Sequence, residues 1–165
     1  VKELFPLPTG NIRIRYLNPD NEIIREDFMD NLVVNNARII MRDQLYSGYS
    51  GNSLTTLQLG NSNLTYPDDP SVLSPPALTD TILVNPIYNT IAYRRATTII
   101  DGKQALFMEF SIPAGSANDP DITKPFNLIT ELGLFTSSSR MFSRVVTPII
   151  KSRDTALDIM WNILI

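Results

Sequence analysis

The stretch Thr155-Ala-Leu-Asp-Ile-Met-Trp-Asn-Ile-Leu-Ile165 decides the fold. Leu157, Ile159, Trp161, Ile163 and Ile165 occupy alternate positions, and the positions between them admit Asp158 and Asn162. A period of two places successive side chains on opposite faces of a strand, so this strand has one core face. So much apolar surface requires a paired strand, and Met141 to Thr147, close before it in the chain, is the expected partner. Asn127-Leu-Ile-Thr-Glu-Leu-Gly-Leu-Phe135 precedes both, giving three strands in the C-terminal third.

Working outward, Lys103 to Ile112 alternates with Leu106, Met108, Phe110 and Ile112 on one face. Asp101-Gly102 joins it to Ile91–Ile100 and is a strong hairpin signal, because both residues tolerate the positive φ of a two-residue turn. Ile12, Ile14 and Tyr16 alternate with Arg13 and Arg15, and Asn18-Pro-Asp-Asn21 turns the chain back through Glu22 to Asp27, a second hairpin. Ser53 to Leu59 is a short strand. Ala37, Ile40, Met41 and Leu45 fall at helical spacing, with Asn35 or Asn36 placed to cap the first turn, so residues 35–46 form the one substantial helix, its apolar stripe facing the core. No repeat and no composition break marks a linker. The expected architecture is mainly β: a single domain over 1–165, an antiparallel β-sandwich of short strands with one α-helix packed against it.

Two segments stand outside that core. Residues 1–10 carry Phe5 and Leu7 between prolines and form an extended arm that cannot supply a full ladder of hydrogen bonds. Residues 61–80 form a long irregular loop rich in Pro, Asn and Ser that also contains Leu64, Tyr66, Val72 and Leu73. Loops of this length in compact domains tend to be functional or disordered. Phe5, Leu7, Leu64, Tyr66, Val72 and Leu73 are therefore the candidate partner-binding residues, expected to be mobile in the isolated protein and ordered against a neighbour.

Composition limits the chemistry. Charged residues make up 19% of the 165 residues, below the roughly 25% of an average domain, with Asn, Ser and Thr in their place. Such a surface is compatible with large protein contacts, because amides and hydroxyls cost less to bury than unpaired charges, and equally with a protein that is merely rich in loops. A net charge of −3 with scattered arginines gives no footprint for nucleic acid. The absence of cysteine fits folding in a reducing cytoplasm, and no apolar run is long enough to span a bilayer or arranged as a signal peptide. The absence of histidine removes the commonest general base and metal ligand, and with them the Ser-His-Asp and Cys-His arrangements. A glycosidase needs only two facing carboxylates, for which Asp68, Asp69, Asp80, Glu109, Asp119, Asp121 and Glu131 are available, but acids in polar loops are usually solvated. Asp68-Asp69 and Asp119-Pro-Asp121 lack the alternating ligands and central glycine of a calcium loop, and the glycines form no phosphate cradle. No cofactor or metal is expected. Glu131 lies in an apolar strand and is placed to meet Arg144 across the sheet, a fold-stabilising cross-strand pair worth roughly 0.2–1 kcal/mol.

The order Asn31-Leu-Val-Val-Asn35 before a helix, Leu57-Gln-Leu-Gly60-Asn61 before a Pro-rich loop, Leu78-Thr-Asp80, Glu131-Leu-Gly-Leu-Phe135, Met141-Phe-Ser-Arg144, Pro148-Ile-Ile-Lys-Ser152 and Ala156-Leu-Asp-Ile-Met-Trp-Asn-Ile163 resembles small β-rich structural proteins of tailed bacteriophages. The resemblance implies a non-enzymatic virion component of a tail, baseplate or tail-fibre attachment assembly. Its partners would be other phage tail, baseplate or fibre proteins, in a symmetric oligomer or several copies per particle, with neither nucleic acid nor membrane insertion involved. The loop 61–80 is longer than the resemblance leads one to expect. The alternative is a carbohydrate- or receptor-binding sandwich whose Tyr49, Tyr66, Tyr88 and Tyr93 stack on sugars.

Overall fold

The structure, a computed structural model, describes residues 8–47 and 50–165. Ten strands and one helix follow in the order β1 (Thr9–Leu17), β2 (Ile23–Asp30), β3 (Leu32–Val33), α1 (Asn36–Ser47), β4 (Leu54–Gly60), β5 (Pro86–Ile91), β6 (Arg94–Ile100), β7 (Lys103–Ile112), β8 (Phe126–Thr136), β9 (Met141–Ser152) and β10 (Ala156–Leu164). They form two five-stranded antiparallel sheets, ordered β2-β1-β10-β7-β6 and β3-β9-β8-β4-β5. The architecture is a β-sandwich with one helix.

The facing of β10 is as its alternation requires: Leu157, Ile159, Trp161 and Ile163 are buried in the main core with Ile12, Ile14 and Tyr16 of β1 and Met108, Phe110 and Ile112 of β7. Its pairing differs from the expectation. β10 lies between β1 and β7, while β9 belongs to the opposite sheet, between β3 and β8. The turn after Ser152 carries the chain across the sandwich, closed by the Thr155 N–H donating to the Ser152 carbonyl at 3.3 Å. As the central strand of its sheet, β10 gains a ladder on each side and still turns its apolar face onto the other layer.

Both predicted hairpins form. In the first, Asn18 Oδ1 accepts from the N–H groups of Asp20 and Glu22 at 3.0 and 2.9 Å, and Ile12 stands opposite Met29. In the second, Ile100 faces Lys103 across Asp101 and Gly102, whose φ values of 50° and 75° suit a two-residue turn. Residues 91–100 are not one strand, however. Ile91 ends β5 in one sheet, and after Ala92 and Tyr93 the chain enters β6 in the other. The arm expected over 1–10 is shortened as well: Thr9 and Gly10 already pair with Leu164 and Ile163, because a period-two strand gains a ladder as soon as proline stops blocking it. Phe5 and Leu7 lie outside the described residues.

Helix α1 buries Ala37 and Ile40 and half-buries Met41, but Leu45 is 90% exposed. The stripe read from spacing is therefore too long: the helix packs on β9, and Leu45 and Tyr46 in its last turn stay exposed. Asn36 donates its side-chain amide N–H to the Met141 carbonyl at 3.2 Å, tying the start of the helix to β9.

Strand β8 is buried on both faces from Asn127 to Thr136. One face, with Ile129, Leu132 and Leu134, joins the main core. The other forms a second cluster in which Phe135 meets Val34, Leu83 and Met141. Leu83 belongs to the irregular segment between β4 and β5, which thus serves as a third layer over this sheet.

Candidate interaction surfaces

What fastens that segment is a buried ionic network. Glu131, fully buried, accepts from the N–H groups of Val84 and Asn85 at 3.1 and 3.0 Å, and Arg144 Nη2 donates to its Oε2 at 2.7 Å. Arg144 Nη1 donates to Asp80 Oδ2, also at 2.7 Å. In register Arg144 faces Gly133, so it reaches Glu131 diagonally. Burial pushes the Asp80 carboxyl up, but the Ala77 N–H and the Arg144 guanidinium together hold it below its ordinary value. For Arg144 likewise, the two carboxylates outweigh burial and raise its pKa. The Glu131–Arg144 pair expected from the sequence is present, but it is buried. An exposed-pair magnitude does not apply to it, and what it holds is the covering segment. Gly60 belongs to the same arrangement, since a Cβ there would stand 2.5 Å from Glu131 Oε1 and 2.8 Å from the Asn85 carbonyl.

A second buried cation closes the other end of the sandwich. Lys151, 1% exposed, donates to Asn118 Oδ1 at 2.8 Å and to the carbonyls of Ala114, Thr155 and Ser152 at 3.2, 3.2 and 3.3 Å. Burial, reinforced by the Arg153 guanidinium, pushes its ammonium down to about 8. Its partners are oxygens of the 113–118 loop and of the β9–β10 turn, so it ties two connections together. No sequence signal marks this, because three of the four acceptors are backbone.

The acids considered for catalysis are mostly engaged in local turns. Asp68 accepts from Thr65, Asp69 from Ser71, Asp119 from Asp121 and Asp121 from Thr123, all through backbone N–H groups. Among the described residues no group of three or more acids forms a metal-ion site. The strands bring Glu109 near Asp158 on the outer face of the first sheet, yet each faces an arginine in register or across the ladder, Arg94 for Glu109 and Arg15 for Asp158. Burial raises the Asp158 pKa, with Arg15 opposing and Glu109 reinforcing it. This is alternating charge on an open sheet face.

The candidate partner-binding residues of the loop do not behave alike. Leu64, Tyr66 and Leu73 are half-buried, Tyr66 with its ring edge-on to Phe126 at 5.1 Å, whereas Val72 is 74% exposed. Of the tyrosines considered for sugar stacking, Tyr88 packs on the main core, Tyr93 is exposed, and Tyr49 lies outside the described residues.

A further open surface is one that spacing does not single out. Sheet edges present unpaired N–H and C=O groups that proteins usually blunt. On one side of this sandwich charge and brevity blunt them in part: β2 carries Arg25, Glu26, Asp27 and Asp30 beside the exposed Ile23, Ile24 and Phe28, and β3 has only two residues. On the other side β5 and β6 are both edges, and Ile91, Tyr93 and Ile99 there are 70%, 61% and 65% exposed. Arg95 is turned in to donate to the Leu54 carbonyl at 3.2 Å. The signal was available: Arg94-Arg-Ala-Thr-Thr-Ile-Ile100 shows no alternation, as befits a strand wetted on both faces. No described helix is long and apolar enough to cross a membrane. Comparison with protein-family models, with curated proteins and with solved structures finds no match.

Proposed function

We propose that the protein is a non-enzymatic building block of a bacteriophage tail, baseplate or tail-fibre attachment assembly, present in several copies and acting through protein–protein surfaces. The observation that carries the surface-acting role is the uncovered β5–β6 side, with Ile91, Tyr93 and Ile99 exposed beside unpaired strand edges. Exposed apolar edges are aggregation hazards in a free monomer and are resolved by a partner. The virion setting is supported by the strand and loop motifs that resemble phage structural proteins. The buried ties at Arg144 and Lys151 support the same reading, since they stiffen loops that a scaffold must hold in shape. The test is co-expression with the products of neighbouring genes, followed by affinity purification and native mass spectrometry. Stable complexes containing several copies of this chain are expected. A chain that copurifies with none of them and is missing from purified particles overturns the proposal.

A further inference from the structure

Within the open side, the backbone of β6 specifies its own partner. The two-residue turn makes Ile100 and Lys103 a hydrogen-bonded pair, and such pairs alternate along an antiparallel ladder. Thr98, Ala96 and Arg94 therefore direct their backbone groups at β7, and Ile99, Thr97 and Arg95 direct theirs away from it. An independent bond agrees: Gln104, the partner of Ile99, gives its carbonyl to the Ile165 N–H on the β10 side. The outward row is thus three N–H and three C=O groups on Arg95, Thr97 and Ile99, and the side chains of all three are exposed.

We infer that this row pairs with the same row of a second copy, antiparallel about a two-fold axis at Thr97. The inference rests on the assembly role proposed above and names one of its contacts. Only this register sets Thr97 against Thr97 and Arg95 against Ile99, so that all the outward groups are satisfied at once; a shift of two residues leaves some of them unpaired. Charge agrees with it. β6 carries Arg94 and Arg95 at one end and no acid, so a parallel arrangement would stack arginines, whereas the two-fold holds them at opposite ends. It also brings the arginine end of each copy beside the Asp101 turn of the other. Ile99 would then cover the aliphatic stem of Arg95 from the second copy. The two five-stranded sheets become one continuous sheet across the axis.

Cross-linking tests the register, because the chain has no native cysteine. Thr97→Cys is expected to form a disulfide dimer under mild oxidation, since hydrogen-bonded antiparallel partners lie about 5.5 Å apart, within disulfide reach. Ile99→Cys alone should not cross-link, but mixing it with Arg95→Cys should give the mixed dimer. Thr97→Pro removes an N–H that makes no bond to β7, so at a concentration where wild type is monomeric its melting temperature should match wild type, while self-association over a dilution series is lost. Self-association that survives Thr97→Pro, or cross-linking of Ile99→Cys as readily as Thr97→Cys, overturns the inference. So does a wild type that stays monomeric alone while Thr97→Pro abolishes capture by a neighbouring gene product. That outcome assigns the edge to a foreign strand and leaves the assembly role standing.

Discussion

Replacing Arg144 with Met is the sharpest test of how the covering segment is held. The substitution keeps the aliphatic stem and removes two short charge-assisted hydrogen bonds, to Glu131 and to Asp80, each 2.7 Å long. Asp80 retains the Ala77 N–H at 2.8 Å and partial access to solvent, with 19% of its side chain exposed. Glu131 has no such relief. Its carboxylate is fully buried and keeps only the two backbone N–H groups of Val84 and Asn85. Orphaning a buried charge costs about 3–5 kcal/mol, whereas losing a surface pair costs about 0–1 kcal/mol. At roughly 2 kcal/mol per molar of urea, the unfolding midpoint should fall by about 1.5–2.5 M. Adding Glu131→Gln removes the stranded charge while its amide oxygen still accepts from one backbone N–H, so the double variant should recover at least about half of the loss. A midpoint shift of surface-pair size, or a double variant no better than Arg144→Met, would refute the buried-network reasoning.

Three further outcomes follow from the same packing. Trp161→Ala should destabilise by about 3–5 kcal/mol in urea unfolding, because the fully buried ring lies in the core face of the central strand β10; an unchanged midpoint would mean the facing is wrong. Lys151 has a folded pKa near 8 against about 10.4 for an unfolded lysine, so the unfolded state binds more protons between those values. Stability should therefore rise as pH goes from 8 towards 10, by an amount on the order of 3 kcal/mol at most, and Lys151→Met should flatten that rise. Measurements stay below pH 10 because burial and the hydrogen bond to Asp27 raise the Tyr16 pKa, a contribution that is lost at higher pH. Gly60→Ala should cost about 1–3 kcal/mol and speed hydrogen exchange at Val84 and Asn85, since the added methyl has to displace Glu131 or the Asn85 backbone; unchanged exchange would contradict that placement.

Periodicity made one side of the fold legible. Alternation in β1, β7 and β10 reports which face meets the core, and Asp101-Gly102 reports a local turn whose geometry needs no tertiary context. Pairing is another matter. Alternation says that a face is buried but not which strand lies alongside, so nearness in the chain points β10 to β9, whereas the fold sets it between β1 and β7. Strand β5 leaves little trace in the sequence, since Pro86 and Asn89 interrupt any apolar alternation, although proline opening an edge strand costs no ladder bond. The Glu131–Arg144 contact was legible from residue type and strand order, but its depth was not. The layer that buries it is an irregular segment, and Leu83 is set among residues with no period at all. Lys151 left no trace in the sequence, since a cage of mostly main-chain carbonyls is created by the fold alone.

The assembly role is tested most directly by hydrogen exchange at single residues of β6, measured on dilute free protein and on protein assembled with its partners. The amides of Arg95, Thr97 and Ile99, which face away from β7, should exchange fast when free and become protected on assembly, while those of Ala96 and Thr98 are protected in both states. Fast exchange at Thr97 in the assembled state would show that this edge stays open to water, and would contradict the account.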